Sequence, residues 1–498
     1  MKTPFLILQW GLLVLLMSSG LPSEAIARQS PNFVVILGEA QGWASMSVPM
    51  DDRHPGGSKS EFILTPHLDS IAMAGIRFSD FYAASPRCTP TRAALFTGRS
   101  PAQLHMTFVG EGKQEGTVNS GDKVIPPQGT SELPAGIATI GTLLKQQGYA
   151  TAHFGKWHCG RVSPREHGFD ETDGPNSNAG PENVENPNPK QGYAIAELGM
   201  DFIARQVTVG KPFYLQLSQY PGKGPLTARP DTLESVKGRL GTRMDVNRIG
   251  LAAGNEEIDK TIGLVLAKLK ALNLMGNTYI LYTADHGAQG RTANGLLSNG
   301  KGTVWEGGLR VPLLIAGPGI PGRTFSHVRA STVDLLPTVL GLAGLPLTDL
   351  PEGLEGGSLV KTIREDPAAV PVRSREELVI HFPHYDKDEV GPASAILFRN
   401  YKMIRVYETD ERHLFDILQD PGERTDLAIS RPEIVKALDS RMTEYLASVK
   451  AGLPTPNPDC DPAGERSGDR RGGKGGGGGG KRKGTMTADP VASETVKP

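Results

Sequence analysis

Residues 32–38 read "NFVVILG": an unbroken apolar run that ends in glycine. A strand half-exposed to water alternates polar and apolar residues, so the five apolar side chains in a row after Asn32 predict a strand buried on both faces of a parallel sheet. The pattern repeats along the chain. "TPHLDSIAMAG" predicts a short helix from a Thr65 cap to Gly75, and "IRFSDFYAA" a strand after it. "SELPAGIATIGTLLKQQGYATAHFG" predicts a helix closed by Gly148 and a strand over Tyr149 to Phe154. "PFYLQLSQY" reads as another strand. "NEEIDKTIGLVLAKLKALNLMG" places Ile258, Ile262, Leu266 and Leu269 on one helical face, with acidic residues at its start, and "NTYILYTADHG" follows as a strand. Helices alternating with buried strands predict an α/β fold: a mostly parallel sheet sandwiched by helices.

In such sheets ligands gather beyond the carboxyl ends of the strands. The stretches there are "EAQGW", "GKWHCG", "YPGKGP" and "ADHG", all rich in side chains able to bind a metal or an anion. From about residue 365 the alternation gives way to short strands ("ELVIHFPHY", "SAILFRNYKMIRVY", "RHLFDI") and a closing helix, predicting a smaller α+β subdomain over 365–453 after a main domain at 28–364. His381 and His384 of "HFPHY" read either as pocket lining or as packing beside aromatics. Residues 454–498 turn Pro-rich, then Gly-rich, with seven Arg/Lys against one Asp between 466 and 484. Such a composition buries too little apolar surface to fold, so a disordered tail is expected, either solvated or holding polyanions.

The N-terminus carries Lys2, an apolar run from Phe5 to Met17 and a small-x-small site at Ala25–Ala27. This predicts a signal peptide over 1–27, an uncleaved anchor being the alternative, and hence a secreted or periplasmic protein. No other run is long and apolar enough to span a bilayer. A formal net charge of −1 argues against a general nucleic-acid binder. With three cysteines in 498 residues, Cys88, Cys159 and Cys460, a disulfide framework is not what holds the chain together.

One cysteine stands in "CTPTRAALFTGR", residues 88–99. This stretch resembles the signature of the type I sulfatases, C-x-P-[ST]-R-x-x-x-x-T-G-R, at every fixed position. The resemblance continues in order through "GYATAHFGKWHCG", "YTADHG", "GKGTVWEGGLRVPLLIAGPG" and "HLFDILQDPGERTDLA", from Pro31 to about Ala428. It implies an alkaline-phosphatase-like fold and hydrolysis of sulfate esters, those of a sulfated small molecule or polysaccharide. It also implies that a separate formylglycine-generating enzyme, reading Pro90 and Arg92, oxidises Cys88 to Cα-formylglycine. The hydrated aldehyde would attack sulfur with one hydroxyl and expel sulfate with the other. Arg92 would steady the diol. Lys156 and His158 would contact diol and sulfate, and Lys301 would be a second cation on the sulfate. Calcium or another divalent metal would be held by Glu39, residue 88, Asp285 and His286.

The chain departs from that pattern twice. The resemblance implies an aspartate pair after the first strand, where this chain has Glu39 and Ala40; Gln41 is then the candidate to supply the missing oxygen. It also implies a histidine that protonates the leaving alcohol, where this chain has Lys223, a poor acid–base group at neutral pH unless its pKa is lowered; its alternative role is contact with sulfate or with an acidic group elsewhere on the substrate. These departures, with histidine at 286, leave two alternatives open: a phosphate or phosphonate ester hydrolase on the same scaffold, or a catalytically weakened sulfate-binding relative.

Overall fold

The computed structural model describes residues 30–109, 118–178, 188–220, 228–241, 245–289, 292–346, 348, 350–386 and 390–467. Strands are numbered in chain order. An eight-stranded sheet contains β1 (Asn32–Gly38), β2 (Ile76–Phe78), β5 (Ala150–Gly155), β6 (Glu171–Thr172), β7 (Phe213–Ser218), β8 (Thr278–Ala284), β9 (Leu313–Ala316) and β10 (Thr324–Ser326), in the order β10-β2-β9-β8-β1-β7-β5-β6. All neighbours are parallel except β9, which runs against both β8 and β2. The run that opens the chain's first strand is thus the centre of the sheet, and its two faces feed two cores. Phe33, Val35 and Leu37 pack on one side with Ala93, Leu95 and Phe96 of helix Cys88–Thr97 and with Leu335, Leu336 and Val339 of helix Leu335–Leu342. Val34 and Ile36 pack on the other with helices Pro66–Ala74, Gly192–Val209 and Val246–Ala271.

Two expectations are corrected. "IRFSDFYAA" is not one strand: β2 joins the large sheet, while β3 (Phe81–Tyr82) pairs with β11 (Ala330–Ser331). The helix expected to begin near Asn255 begins at Val246, capped by Asp245, whose side chain accepts from Asn247 N–H. The acidic residues read as its first turn are therefore mid-helix. Asp259 caps a different helix: its carboxylate accepts from His67 N–H (3.1 Å) and Leu68 N–H (2.8 Å), where the Thr65 side chain makes no capping bond.

A separate antiparallel sheet runs β12 (Leu378–Phe382), β13 (Ala393–Phe398), β14 (Tyr401–Val406) and β15 (Arg412–Asp416). Helix Pro432–Ser448 covers it through Leu438, Met442 and Leu446. His381 and His384 are both buried, the first bonded to Ser394 Oγ and Gly452 O, the second to Thr107 Oγ1 with its ring 4.8 Å from that of Phe108. Both therefore pack within the subdomain and against Phe108. The tail expected from residue 454 is placed up to Ser467: β16 (Thr455–Pro456) pairs with β4 (Val124–Ile125), Asp461 N–H donates to Ser120 O, and Ser467 N–H to Asp122. Backbone hydrogen bonds to residues 119–125 hold it where its composition alone would not. Its Gly-rich basic part, the signal-peptide reading at 1–27 and Lys223 lie outside the described residues. Among the described residues no helix is long and apolar enough to cross a membrane. Cys88, Cys159 and Cys460 are unpaired thiols.

Candidate active site

Strand register builds the site. Gly38 at the end of β1 is level with Ala284 at the end of β8, Leu37 with Ser218 of β7, and Ser218 with Gly155 at the end of β5. The ladder continues one residue past the strands: Asp285 N–H donates to Gly38 O, Lys156 N–H to Ser218 O and Gln219 N–H to Leu37 O. Glu39, Lys156 and Asp285 are therefore the first side chains beyond one edge of the sheet. Helix Cys88–Thr97 points its N-terminus at the same edge, with the positive end of its dipole and its unpaired N–H groups.

Glu39 is the hub. Its Oε2 lies 2.8 Å from Lys156 Nζ and 3.0 Å from an Arg92 nitrogen, and its Oε1 lies 3.2 Å from Lys301 Nζ. Arg92, one turn along the helix from Cys88, also reaches Asp285 Oδ2 at 3.1 Å and donates to Lys156 O. Cys88 Sγ sits among these groups, 3.3 Å from Glu39 Oε1, 3.2 Å from His286 Nε2 and 3.8 Å from Lys301 Nζ. All are fully buried except Lys301, whose side chain is 12% exposed and so faces the opening.

Charge follows from this packing. Burial and the Glu39 carboxylate oppose ionisation of the Cys88 thiol, but Lys156, His286 and Lys301 overcome them and hold its pKa well below the usual thiol value. Burial likewise opposes ionisation of Glu39, and Lys156 and Lys301 outweigh it, keeping that carboxyl well below its usual range. Asp285 is pushed up to about 6 by burial and by the charge of Glu39. A low-pKa sulfur surrounded by cations at a helix N-terminus is an anion site with a reactive centre.

Four ligand-type groups lie within 4.8 Å of one another: Glu39, Cys88, Asp285 and His286. His286 Nδ1 is 3.0 Å from Gly287 O, a bond that orients the ring and leaves Nε2 facing the cluster. The donors therefore fit a divalent metal. Gln41, the candidate for the oxygen missing at Ala40, points its amide nitrogen at Asn255 Oδ1 (2.8 Å), and its oxygen accepts from the Tyr282 hydroxyl. Ala40 adopts φ +54°, and its N–H donates to Asp285 Oδ1. His158 is buried on the turn after β5, at φ +55°, its backbone N–H on Asn176 O, and it is not one of the four clustered groups.

Several contributors have no sequence signal of their own. Arg87, next to Cys88, forms a two-pronged ion pair with Asp386 of the C-terminal subdomain. Lys402 of β14 lies between Glu306 (3.0 Å) and Glu423 (2.8 Å), all buried, tying the loop that carries Lys301 to the second sheet. Asn294 braces the same loop by accepting from Ala288 N–H and donating to Ala288 O and Asn299 O. Arg87 and Lys402 join segments far apart in sequence, so local pattern cannot reveal them.

Comparison with known proteins agrees with this geometry. The family model described as Sulfatase matches residues 31–345, and that described as N-sulphoglucosamine sulphohydrolase, C-terminal, matches residues 299–451. The chain is 33% identical to the N-acetylgalactosamine-6-sulfatase of Canis lupus familiaris, over 86% of this chain and 87% of the relative. It is 28% identical to the Ulvan-active sulfatase of Formosa agariphila, over 84% and 81%. Among solved structures it resembles Ps i-CgsB in complex with k-i-k-neocarrahexaose, with a TM-score of 0.67 and 25% identity, covering 84% of this chain and 93% of that one.

Proposed function

The chain belongs to the sulfatase family and is a hydrolase of sulfate esters, and from that premise we propose that it cleaves a sulfated carbohydrate outside the cytoplasm, using a formylglycine made from Cys88. The observation that carries this reading is the convergence of Lys156, Arg92 and Lys301 on Glu39, beside residue 88 at the N-terminus of its helix. A tetrahedral dianion gains most from fixed cations that need not reorganise as charge develops. The carbohydrate substrate rests on the relatives whose names state one, and export on the N-terminal pattern of Lys2, an apolar run and Ala25–Ala27.

Each side chain has a task within this reading. Lys301, the cation facing the opening, receives the sulfate group; Lys156 and Arg92, fully buried, hold Glu39 in place and keep the site positive. His158, on the turn that carries Lys156, contacts the nucleophile and the sulfate. Lys223 is proposed as a further contact to the substrate anion. A formylglycine supplies the nucleophile and a divalent metal the Lewis acid that activates it. Glu39, Asp285, His286 and residue 88 would hold that metal; calcium is the ion the resemblance implies.

The test is protein made in an aerobic host together with the modifying enzyme. A mass spectrum of the peptide bearing residue 88 should show the aldehyde, and the same protein should release sulfate from sulfated oligosaccharides faster than phosphate from matched phosphate esters. Unconverted cysteine under conditions that convert a known substrate peptide would remove the nucleophile. Faster turnover of the phosphate ester would move the chain to phosphoryl transfer.

A further inference from the structure

We propose that the metal site of this chain is built for a small, borderline dication, zinc, and not for calcium. The inference rests on the sulfatase reading only in placing a divalent metal at this cluster; the argument for which metal is a count of donors.

Calcium takes six to eight oxygen ligands, roughly 2.3–2.6 Å away. The protein has few oxygens to give. Glu39 Oε2 is held by Lys156 at 2.8 Å and by Arg92 at 3.0 Å, and Asp285 Oδ2 by Arg92 at 3.1 Å. Both oxygens already balance buried cations, so they are poor donors to a further ion. The other carboxylate oxygens are Glu39 Oε1, which Lys301 approaches at 3.2 Å, and Asp285 Oδ1, which accepts from Ala40 N–H; the atom on residue 88 is the third donor. Ala40 has no side-chain donor, and both amide atoms of Gln41 have partners in Asn255 and Tyr282. The protein thus offers three oxygens at most, and calcium would have to draw half or more of its shell from water or substrate.

The fourth donor is a nitrogen. His286 Nε2 lies 3.2 Å from Cys88 Sγ, 3.4 Å from Asp285 Oδ1 and 3.7 Å from Glu39 Oε1, with its Nδ1 anchored on Gly287 O. Four donors about 2.1 Å from one ion are about 3.4 Å apart when tetrahedral, so these separations suit a zinc-sized site. Imidazole is a ligand of choice for zinc and its neighbours, whereas calcium prefers oxygen throughout. The oxygen missing at 40 and the nitrogen donor at 286 thus push in the same direction.

The test uses the chelator-treated full chain, titrated separately with Ca2+, Mn2+ and Zn2+ by calorimetry, with thermal unfolding as a second readout. An unconverted Cys88 thiolate would itself favour zinc, so the titrations are run on formylglycine-bearing protein and on Cys88→Ser. The expected result is one Zn2+ per chain, at least tenfold tighter than Ca2+ or Mn2+ in both proteins, with a rise in melting temperature that millimolar Ca2+ does not produce. A variant with Ala40→Asp and His286→Asn should shift the ratio at least tenfold toward Ca2+. Position 40 is left-handed (φ +54°), a conformation aspartate tolerates better than alanine, so that replacement adds an oxygen without new strain. Calcium binding one per chain as tightly as zinc overturns the inference, and so does the absence of binding by all three. A chain that binds calcium and still cleaves sulfate esters overturns this inference alone. One that binds zinc and cleaves no sulfate ester overturns the functional reading alone.

Discussion

The Lys156 ammonium and the Glu39 carboxylate meet at 2.8 Å with both side chains fully buried. Such a pair is held by the mutual need of its members: removing one leaves an uncompensated charge in the interior. Glu39 also neutralises Arg92 and Lys301, so it is the member whose loss strands most charge. Glu39→Gln should lower unfolding free energy by about 3–5 kcal/mol, whereas Glu39→Asp, which keeps the charge, should cost less. Denaturant unfolding of the two variants checks this. Equal losses would mean that side-chain length, not charge, is what the site requires.

Gln41 is bonded away from the cluster, and its role is therefore structural. Gln41→Ala should leave metal stoichiometry and affinity unchanged while costing about 1–3 kcal/mol, because the Tyr282 hydroxyl and the Asn255 amide lose buried partners. Metal titration and thermal unfolding on the same preparation separate the two effects. Lost metal affinity in a folded variant would make Gln41 a ligand after all.

Lys402 lies in the second sheet, yet it holds the loop that presents Lys301. It is flanked by Glu306 at 3.0 Å and Glu423 at 2.8 Å, and all three side chains are buried. Lys402→Met should cost about 3–5 kcal/mol and lower kcat/KM. Adding Glu306→Gln and Glu423→Gln should recover much of the stability, because no buried charge is then left unpaired. If the triple variant is no more stable than the single one, lost packing and not lost charge is responsible.

Three histidines are buried uncharged: burial pulls His153 down to about 3, His381 to about 4 and His384 to about 3, against a usual 6.5. Below about pH 6.5 the unfolded chain takes up these protons and the folded chain does not. Each histidine therefore subtracts about 1.4 kcal/mol of stability per pH unit as the pH falls from 6.5 toward 4. Asp173 and Asp259, pushed up by burial to about 6 and about 7, act in the opposite sense over part of that range. The informative quantity is thus a difference between proteins. His384→Gln should gain on the wild type by about 1.4 kcal/mol for each unit of acidification below 6.5. A difference that stays constant with pH would mean that His384 takes up its proton in the folded state.

The order of elements, the buried character of β1 and the loops that carry Glu39, Lys156 and Asp285 were all legible in the sequence. Each depends on local facts: apolar period, glycine and proline punctuation, and polar residues following an apolar run. The twelve residues from Cys88 to Arg99 likewise named their chemistry through their resemblance to a known signature. Helix starts were less legible. Asp259 looks like a first-turn residue because acidic side chains favour that position, and here it caps a neighbouring helix instead.

What the sequence by itself determined is which side chains stand just beyond the strands. What only the tertiary structure decided is which of them touch. Glu39, Lys156, Asp285 and Lys301 come from four separate segments, and their separations are set by the register of β1 against β7 and β8 and of β5 against β7. The same packing turns Gln41 toward Asn255 and Tyr282, and away from the metal cluster its position in the chain suggests. Register and side-chain direction come from the packing of whole faces at long sequence separation, so no window of residues around position 41 carries them.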